Sequence, residues 1–351
     1  MARALDLALR GWGRVQQDPL VGAVVLRGGE PVGEGWHAEY GDRHAETVAL
    51  ADAGERARGA TLVVTLEPCS HHGKQPPCTD AIIQSGVTRV VAAIQDPNPI
   101  AAGGSERLRQ AGIEVEVGPL ADAAAVLNAP FLHGLRNPGR PFVALKLATT
   151  LDGRIADEFG RSRWISGEAA RDYVQWLRAG FDAIAVGGRT ARLDDPSLTV
   201  RGPVRPLAAP RRVVFDRAAD LGPHLTMLRT AGDTPTIVVV APEADRARVK
   251  RLEAAGASVV RTPKLAEALA ALRELGVASL LVEGGGQLAG ALLGQGLVDR
   301  YYWIQAPLWL GDSGVPALAG LPTRGLEQAD RWQVVERRSL GDDTLLVLDR
   351  R

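Results

Sequence analysis

The stretch ATLVVTLEPCSHHGKQPPCTDAIIQSG, residues 60–86, holds both cysteines of a 351-residue chain. It opens on an apolar, β-branched run, ATLVVTLEP (60–68), that reads as a strand. It closes on CTDAIIQSG (78–86), whose apolar spacing and final glycine read as a capped helix. Between the cysteines lie eight residues with two of the six histidines, and Gly73, Pro76 and Pro77 there suit a chain that turns back on itself.

The alternation continues on both sides. LVGAVVL (20–26) and PVGEGWH (31–37) flank an RGGE turn and read as a hairpin, followed by a helix in HAETVALADAG (44–54). Downstream come a strand in RVVAAIQDP (89–97), a helix in SERLRQAG (105–112) and a short strand in IEVEVGPL (113–120). Strands alternating with helices predict a three-layer α/β domain. RNPGRP (136–141) breaks both periodicities and reads as a linker. A second α/β region follows, with strands in PFVALKLA (141–148), FDAIAVGG (181–188), RRVVFD, TIVVVA and SLLVE. Its helices are GEAARDYVQWLRAG (167–180), EADRARVKRLEAAG and LAEALAALRELG, and GGGQLAGALLGQGL reads as a glycine turn entering a helix. YYWIQAPLWLG and TLLVLDR read as antiparallel strands closing the sheet. The expected domains are 1–137 and 138–351.

Composition narrows the class. An apolar fraction of 46%, a charged fraction of 23% and a net charge of zero describe a globular chain with no bulk electrostatic pull on nucleic acid or an anionic membrane. The opening MARALDLALRGWGRV is too short and too charged for a signal peptide, and no later segment offers about 18 uninterrupted apolar residues. Two cysteines make no disulfide framework, and outside an oxidising compartment such a pair more often means metal or catalysis. A cytoplasmic location is expected.

His44-Ala45-Glu46 precedes a strand ending Pro68-Cys69, and Cys78 opens the next helix. That is the order of residues in zinc nucleobase deaminases. One imidazole (His44) and two thiolates (Cys69, Cys78) would supply three ligands and leave the fourth position to water, whose pKa falls from about 15.7 towards about 7 on the metal. Glu46 would take that water's proton and deliver it to the departing ammonia. The usual spacing is Cys-x-x-Cys, and eight intervening residues depart from it. A structural zinc closed by His71 or His72 is the alternative.

HAE, the TLEPCSHHGKQPPC loop and the following QDPNP together resemble the bifunctional riboflavin-biosynthesis family, in which a diaminohydroxyphosphoribosylaminopyrimidine deaminase is fused to a 5-amino-6-(5-phosphoribosylamino)uracil reductase. The long loop is that family's own variant. The resemblance implies a cytidine-deaminase-like domain with one zinc ion and a phosphoribosylated diaminopyrimidinone substrate, with Glu46 as the catalytic residue. Lys74, one of four lysines and set in the metal loop, is expected to meet the substrate phosphate as a point charge. It also implies an asparagine before the Pro-Leu-Val-Gly of the first hairpin. Asp18 stands there instead, keeping the acceptor and losing the amide donor. A working reductase beside an altered or inactive deaminase is the alternative this leaves.

KLATTLDGRIA (146–156), SRWISG (162–167), GGRTARLDDPSLTVR (187–201) and VEGGGQLAG (282–290) resemble the same family's reductase half, which implies a dihydrofolate-reductase-like fold and NADPH. Carried over by motif, Ala148, Trp164, Thr190, Asp194 and the loop Gly285, Gly286, Gln287, Leu288, Ala289, Gly290 and Ala291 would contact the cofactor. Ser162, Arg178, Leu198, Arg201 and Glu283 would hold substrate, the two arginines on a ribose phosphate and Glu283 on sugar hydroxyls. Arg217 stands where a small polar residue is more usual after Asp216. The resemblance further implies a homodimer or larger homo-oligomer. A nucleic-acid deaminase with an unrelated second half, or a zinc-stapled scaffold without activity, are the competing readings. The neutral charge and 5% aromatic content speak against the first.

Overall fold

The computed structural model describes residues 1–350, and the chain divides into two units, Met1–Arg136 and Asn137–Arg351. The strands of unit 1 are β1 (Gly22–Arg27), β2 (Glu30–Trp36), β3 (Thr61–Val64), β4 (Arg89–Ala92) and β5 (Glu114–Val117). Among the described residues they form one sheet of order β2-β1-β3-β4-β5. β1 runs antiparallel to β2 and β3, whereas β3, β4 and β5 are parallel. The parallel part needs crossovers, supplied by α3 (Cys78–Ser85) and α4 (Gly104–Gln110).

Alternating side chains separate the two faces of this sheet. Val24, Val63 and Val91 pack under α1 (Ala2–Ala8) through Ala4 and Leu7. Ala23, Val25, Leu62, Val64 and Val90 face α2 (Ala45–Ala53) and α3 through Ala45, Ala49, Ala53 and Ile82. The result is three layers. On β2, Gly33 and Gly35 sit so close beneath α2 that a Cβ on either would come within 2.4 Å of the carbonyl oxygens of Ala49 and Ala45. The helix therefore rests on bare backbone, and its first turn is placed accordingly. α5 (Ala121–Leu127) and α6 (Ala129–Arg136) end the unit.

In unit 2 the strands are β6 (Phe142–Thr149), β7 (Arg154–Ala156), β8 (Ala183–Gly187), β9 (Arg211–Phe215), β10 (Thr236–Val240), β11 (Ser258–Arg261), β12 (Ser279–Glu283), β13 (Arg300–Gln305), β14 (Val315–Pro316), β15 (Trp332–Leu340) and β16 (Asp343–Arg350). The main sheet has the order β11-β10-β9-β8-β12-β6-β13-β16-β15, with β7 and β14 forming a small ribbon apart. It is parallel from β11 to β13, and the last two strands are antiparallel. The helices are α7 (Glu168–Ala179), α8 (Gly188–Asp194), α9 (Thr226–Arg229), α10 (Arg246–Ala254), α11 (Leu265–Glu274) and α12 (Gly286–Gly294). One face buries Val143, Leu145, Val213 and Val282 against α11 and α12, and the other buries Ile184, Val214 and Val238 against α9 and α10. Each fully buried Leu or Val there contributes about 1.5–3 kcal/mol.

Two sequence expectations need correction. The strand expected through YYWIQAPLWLG ends at Gln305, so the PLWLG segment continues as a loop in which Trp309 is 73% exposed. The edge of the sheet is instead β15, which lies beyond β16 and pairs with it.

Candidate active sites

His44 caps the start of α2 with extended backbone, φ −71° and ψ 156°, and Cys78 is the first residue of α3 after Pro77. Cys69 lies on the loop after β3. The fold brings the three together: His44 Nδ1 is 3.2 Å from Cys78 Sγ and 3.5 Å from Cys69 Sγ. Tetrahedral zinc ligands at the usual bond lengths stand roughly 3.5 Å apart, so this donor set fits zinc. Among the described residues no fourth His, Cys, Asp or Glu joins the group.

The electrostatics favour a cation. Cys69 is pushed down to about 4, first by hydrogen bonding with Cys78 and then by His44, against the cost of burial. Cys78 is pushed up by the hydrogen bond with Cys69 and by burial. The downward shift at Cys69 favours the thiolate form that metal binding needs. Glu46 is 4% exposed. Burial holds its carboxyl above the usual range, opposed by the charge of His44.

Around this centre, Asp18 Oδ2 lies 3.3 Å from His37 Nε2, while His37 Nδ1 lies 3.3 Å from the Arg43 carbonyl. The His37 ring stands edge-on to that of His44, with centroids 5.7 Å apart. The expected reader of the pyrimidine, Asp18, is therefore coupled to buried His37, to which sequence reasoning assigned no role. Lys74, within the metal loop, sits with its ammonium 3.4 Å from the Tyr40 ring centroid, a cation–π contact.

Unit 2 contains a cleft of about 1280 Å3 at the C-terminal ends of its parallel strands. That exceeds the roughly 300–1000 Å3 of a pocket for one drug-sized molecule and leaves room for a dinucleotide beside a second ligand. Ala148, Ser162, Trp164, Thr190, Asp194 and Arg201 line it. Trp164 is 69% exposed with the Arg171 guanidinium 4.7 Å from its ring centroid. The turn from β12 into α12 uses left-handed φ at Gly284 (+75°) and Gly285 (+83°), and a Cβ on Gly286 would meet the Pro316 carbonyl at 2.3 Å. Such a tight, bare helix start suits the pyrophosphate of NADPH.

Of the expected loop, Gly285, Gly286, Gln287, Leu288 and Ala291 face the cleft. Ala289 packs in the core and Gly290 lies against the Ala319 carbonyl, so neither presents a side chain to it. Leu198 reaches the cleft wall but is 2% exposed, its bulk belonging to the core.

Arg178 and Glu283, expected to hold different parts of a substrate, form one bidentate pair: Nε donates to Oε1 at 2.6 Å and Nη2 to Oε2 at 2.8 Å. Arg178 Nη1 also donates to the Thr199 carbonyl at 3.0 Å. Its fork is occupied, which leaves the exposed Arg201 as the freer phosphate partner. Sequence reasoning passed over Lys146. It stands opposite Glu283 on the adjacent strand and lines the same cleft. Burial lowers the lysine's pKa, with Glu283 opposing and Arg178 assisting. Burial works against the Glu283 carboxylate, but attraction to Arg178 and Lys146 outweighs it and its pKa is lowered.

A base whose folded pKa is lowered binds protons less well than the unfolded chain does. Stability therefore rises with pH through the window below the solvated lysine value of 10.5. Lys146→Met is expected to melt higher than the wild type at pH 7, by roughly 2–4 °C per kcal/mol relieved in a unit of this size. That advantage should shrink towards pH 10 in thermal unfolding scans. An advantage constant with pH would place the charged amine in solvent.

Residues 1–94 match the family model for the cytidine and deoxycytidylate deaminase zinc-binding region, and residues 141–346 match that for the RibD C-terminal domain. The chain is 42% identical over 371 residues to the riboflavin biosynthesis protein RibD of Escherichia coli K12, covering 99% of this chain and 98% of that one. The chain belongs to the RibD family. The Bacillus amyloliquefaciens RibD is 41% identical, with 99% of this chain and 94% of the relative covered. The crystal structure of a diaminohydroxyphosphoribosylaminopyrimidine deaminase/5-amino-6-(5-phosphoribosylamino)uracil reductase from Thermotoga maritima superposes with a TM-score of 0.84 at 35% identity, over 100% of this chain and 97% of that one. As a RibD-family chain it is a bifunctional enzyme of riboflavin biosynthesis, a zinc-dependent deaminase and an NADPH-dependent reductase. The reading with an altered or inactive deaminase gains no support over this one. No described helix is long and apolar enough to cross a membrane.

Proposed function

We propose that residues 1–137 hydrolyse the ring amine of 2,5-diamino-6-(5-phosphoribosylamino)pyrimidin-4(3H)-one and that residues 138–351 then reduce the ribosyl side chain of the product to ribityl. The observation carrying the first half is the convergence of His44, Cys69 and Cys78 beside the buried Glu46. Zinc on those three ligands would supply Lewis acidity toward a water molecule. Glu46 accepts a proton from that water and returns it to the leaving nitrogen, so one water is consumed and one ammonia released. Its raised carboxyl pKa suits a group that must both take and give a proton. Asp18 accepts hydrogen bonds from the pyrimidine, and Lys74 meets the substrate phosphate.

In the second half the cleft residues would hold NADPH, which would supply the hydride for C1′ of the opened ribose. The C1′–O4′ bond breaks and O4′ leaves as a hydroxyl, so one proton is taken up. Lys146 and Glu283, side by side on β6 and β12, hydrogen-bond the sugar hydroxyls, Arg178 fixes Glu283 in place, and Arg201 binds the phosphate. Ala148, Trp164, Thr190, Asp194, Gly285, Gly286, Gln287, Leu288 and Ala291 would hold the cofactor. The free cysteines suit a reducing compartment, and we place the enzyme in the cytoplasm as a homodimer or larger homo-oligomer.

Supplied with the diaminopyrimidinone and no NADPH, the enzyme is expected to release one ammonia per substrate and stop at the aminouracil. NADPH added afterwards should then be oxidised one for one. NADPH oxidation that runs ahead of ammonia release would reverse the order.

A further inference from the structure

From the end of α8 the chain crosses the wall of the unit 2 cleft as the segment 194–201. The proposed function assigns both ends of that segment, Asp194 to the cofactor and Arg201 to the substrate phosphate. Among the described residues five other than glycine adopt a positive φ, and two of them, Asp195 (+39°) and Leu198 (+47°), lie in this segment. A Cβ makes that region unfavourable, less so for aspartate than for leucine. Such a backbone persists only where its surroundings fix it, and it recurs where a site needs one held shape.

Two anchors fix it here. Leu198 is 2% exposed and shares a core with Leu225, Met227 and Leu228, the residues around the start of α9. Asp195 grips the same element: Oδ1 accepts the Thr226 N–H at 2.7 Å and Oδ2 the Thr226 hydroxyl at 2.7 Å. Pro196, with φ set by its ring, stiffens the stretch between the anchors. The far end is held by α7, where Arg178 Nη1 donates to the Thr199 carbonyl at 3.0 Å and Gln175 Oε1 accepts the Arg201 N–H at 2.8 Å. At the near end Arg163 Nη2 donates to the Asp194 carbonyl at 2.8 Å. Those polar clamps come from outside the segment. Asp195 is the segment's own polar hold on α9.

We infer that Asp195 is a positioning residue of the reductase, whose grip on Thr226 keeps Asp194 and Arg201 at one spacing so that cofactor and substrate meet in register. The inference rests on the proposed placement of both ligands in this cleft. Steady-state reduction of the aminouracil by the full chain, with NADPH and aminouracil each varied, tests it at a temperature where thermal unfolding shows every variant folded. Asp195→Ala is expected to lower kcat/KM about 10- to 100-fold, with KM rising for both ligands together because one segment serves both. Asp195→Asn tolerates the same φ, accepts from the Thr226 N–H and donates its amide to the hydroxyl, so it should stay within about threefold of the wild type. Asp195→Gly keeps the backbone shape without the bonds and should fail as Asp195→Ala does. Thr226→Val, which removes only the hydroxyl, should show a smaller loss of the same kind. Should Asp195→Ala not fold, the Gly and Thr226→Val variants carry the test. Wild-type kinetics in Asp195→Ala or Asp195→Gly, or a rise in KM for one ligand alone, would overturn the positioning role. So would an Asp195→Asn enzyme as slow as Asp195→Ala, which would give the carboxylate a direct part in the chemistry. A wild type that does not oxidise NADPH with the aminouracil would overturn the placement of the ligands instead.

Discussion

Glu46→Gln is expected to slow ammonia release about 1000-fold while zinc content stays at the wild-type level. An amide fills the same buried space but can neither accept the water's proton nor return it, and proton transfer of this kind accounts for roughly 100- to 10,000-fold in rate. Because Glu46 lies outside the cluster of His44, Cys69 and Cys78, removing its charge should leave the metal in place. Reduction of the preformed aminouracil should be unchanged, which separates loss of chemistry from loss of fold. Ammonia release within tenfold of the wild type would move the shuttle elsewhere, and the buried His37, in contact with Asp18 and edge-on to His44, would be the next group to test.

The second large effect is expected at Glu283. Glu283→Ala leaves the Arg178 guanidinium and the Lys146 amine facing each other with no counterion, each within a largely buried pocket. Breaking one side of a buried ion pair costs about 3–5 kcal/mol, and urea unfolding followed by tryptophan fluorescence should show a loss near the lower figure, because Lys146 can shed its proton. Reductase kcat/KM should fall about 100-fold as the sugar loses its acceptor. Adding Lys146→Met to Glu283→Ala should restore part of the stability and none of the activity. A non-additive gain of that kind is the signature of direct coupling. Unchanged stability in the single variant would mean that water screens the pair.

The deaminase centre and the order of elements could be read from sequence because both rest on local signals. The His-x-Glu, the Pro-Cys at a strand end and a second Cys opening a helix each announce a ligand and its backbone setting together. The strands of unit 2 were legible for a similar reason: in a parallel sheet covered on both faces they are uninterrupted apolar runs. What escaped was long-range or weakly patterned. Arg178 and Glu283 are 105 residues apart, and nothing near either one announces the other. Lys146 acquires its importance only from the register of β6 against β12. The edge strand β15 carries Glu336, Arg337 and Arg338 with little buried surface, so its sequence looks like a solvated loop. The helix α1 is seven residues long and has no side-chain cap. Ala289 and Gly290 belong to a motif whose helix turns them towards the core, which a linear pattern does not reveal.

The contact of α2 with Gly33 and Gly35 sets a tolerance for the metal centre. His44 is carried by a helix seated on two glycines, and the sulfurs are carried by different segments, the loop after β3 and the start of α3. The coordination distance is therefore a property of a strand that contributes no ligand. A change in the length of the loop between the cysteines leaves that seat untouched, whereas any side chain at Gly33 or Gly35 would collide with the backbone of α2 a whole hairpin away.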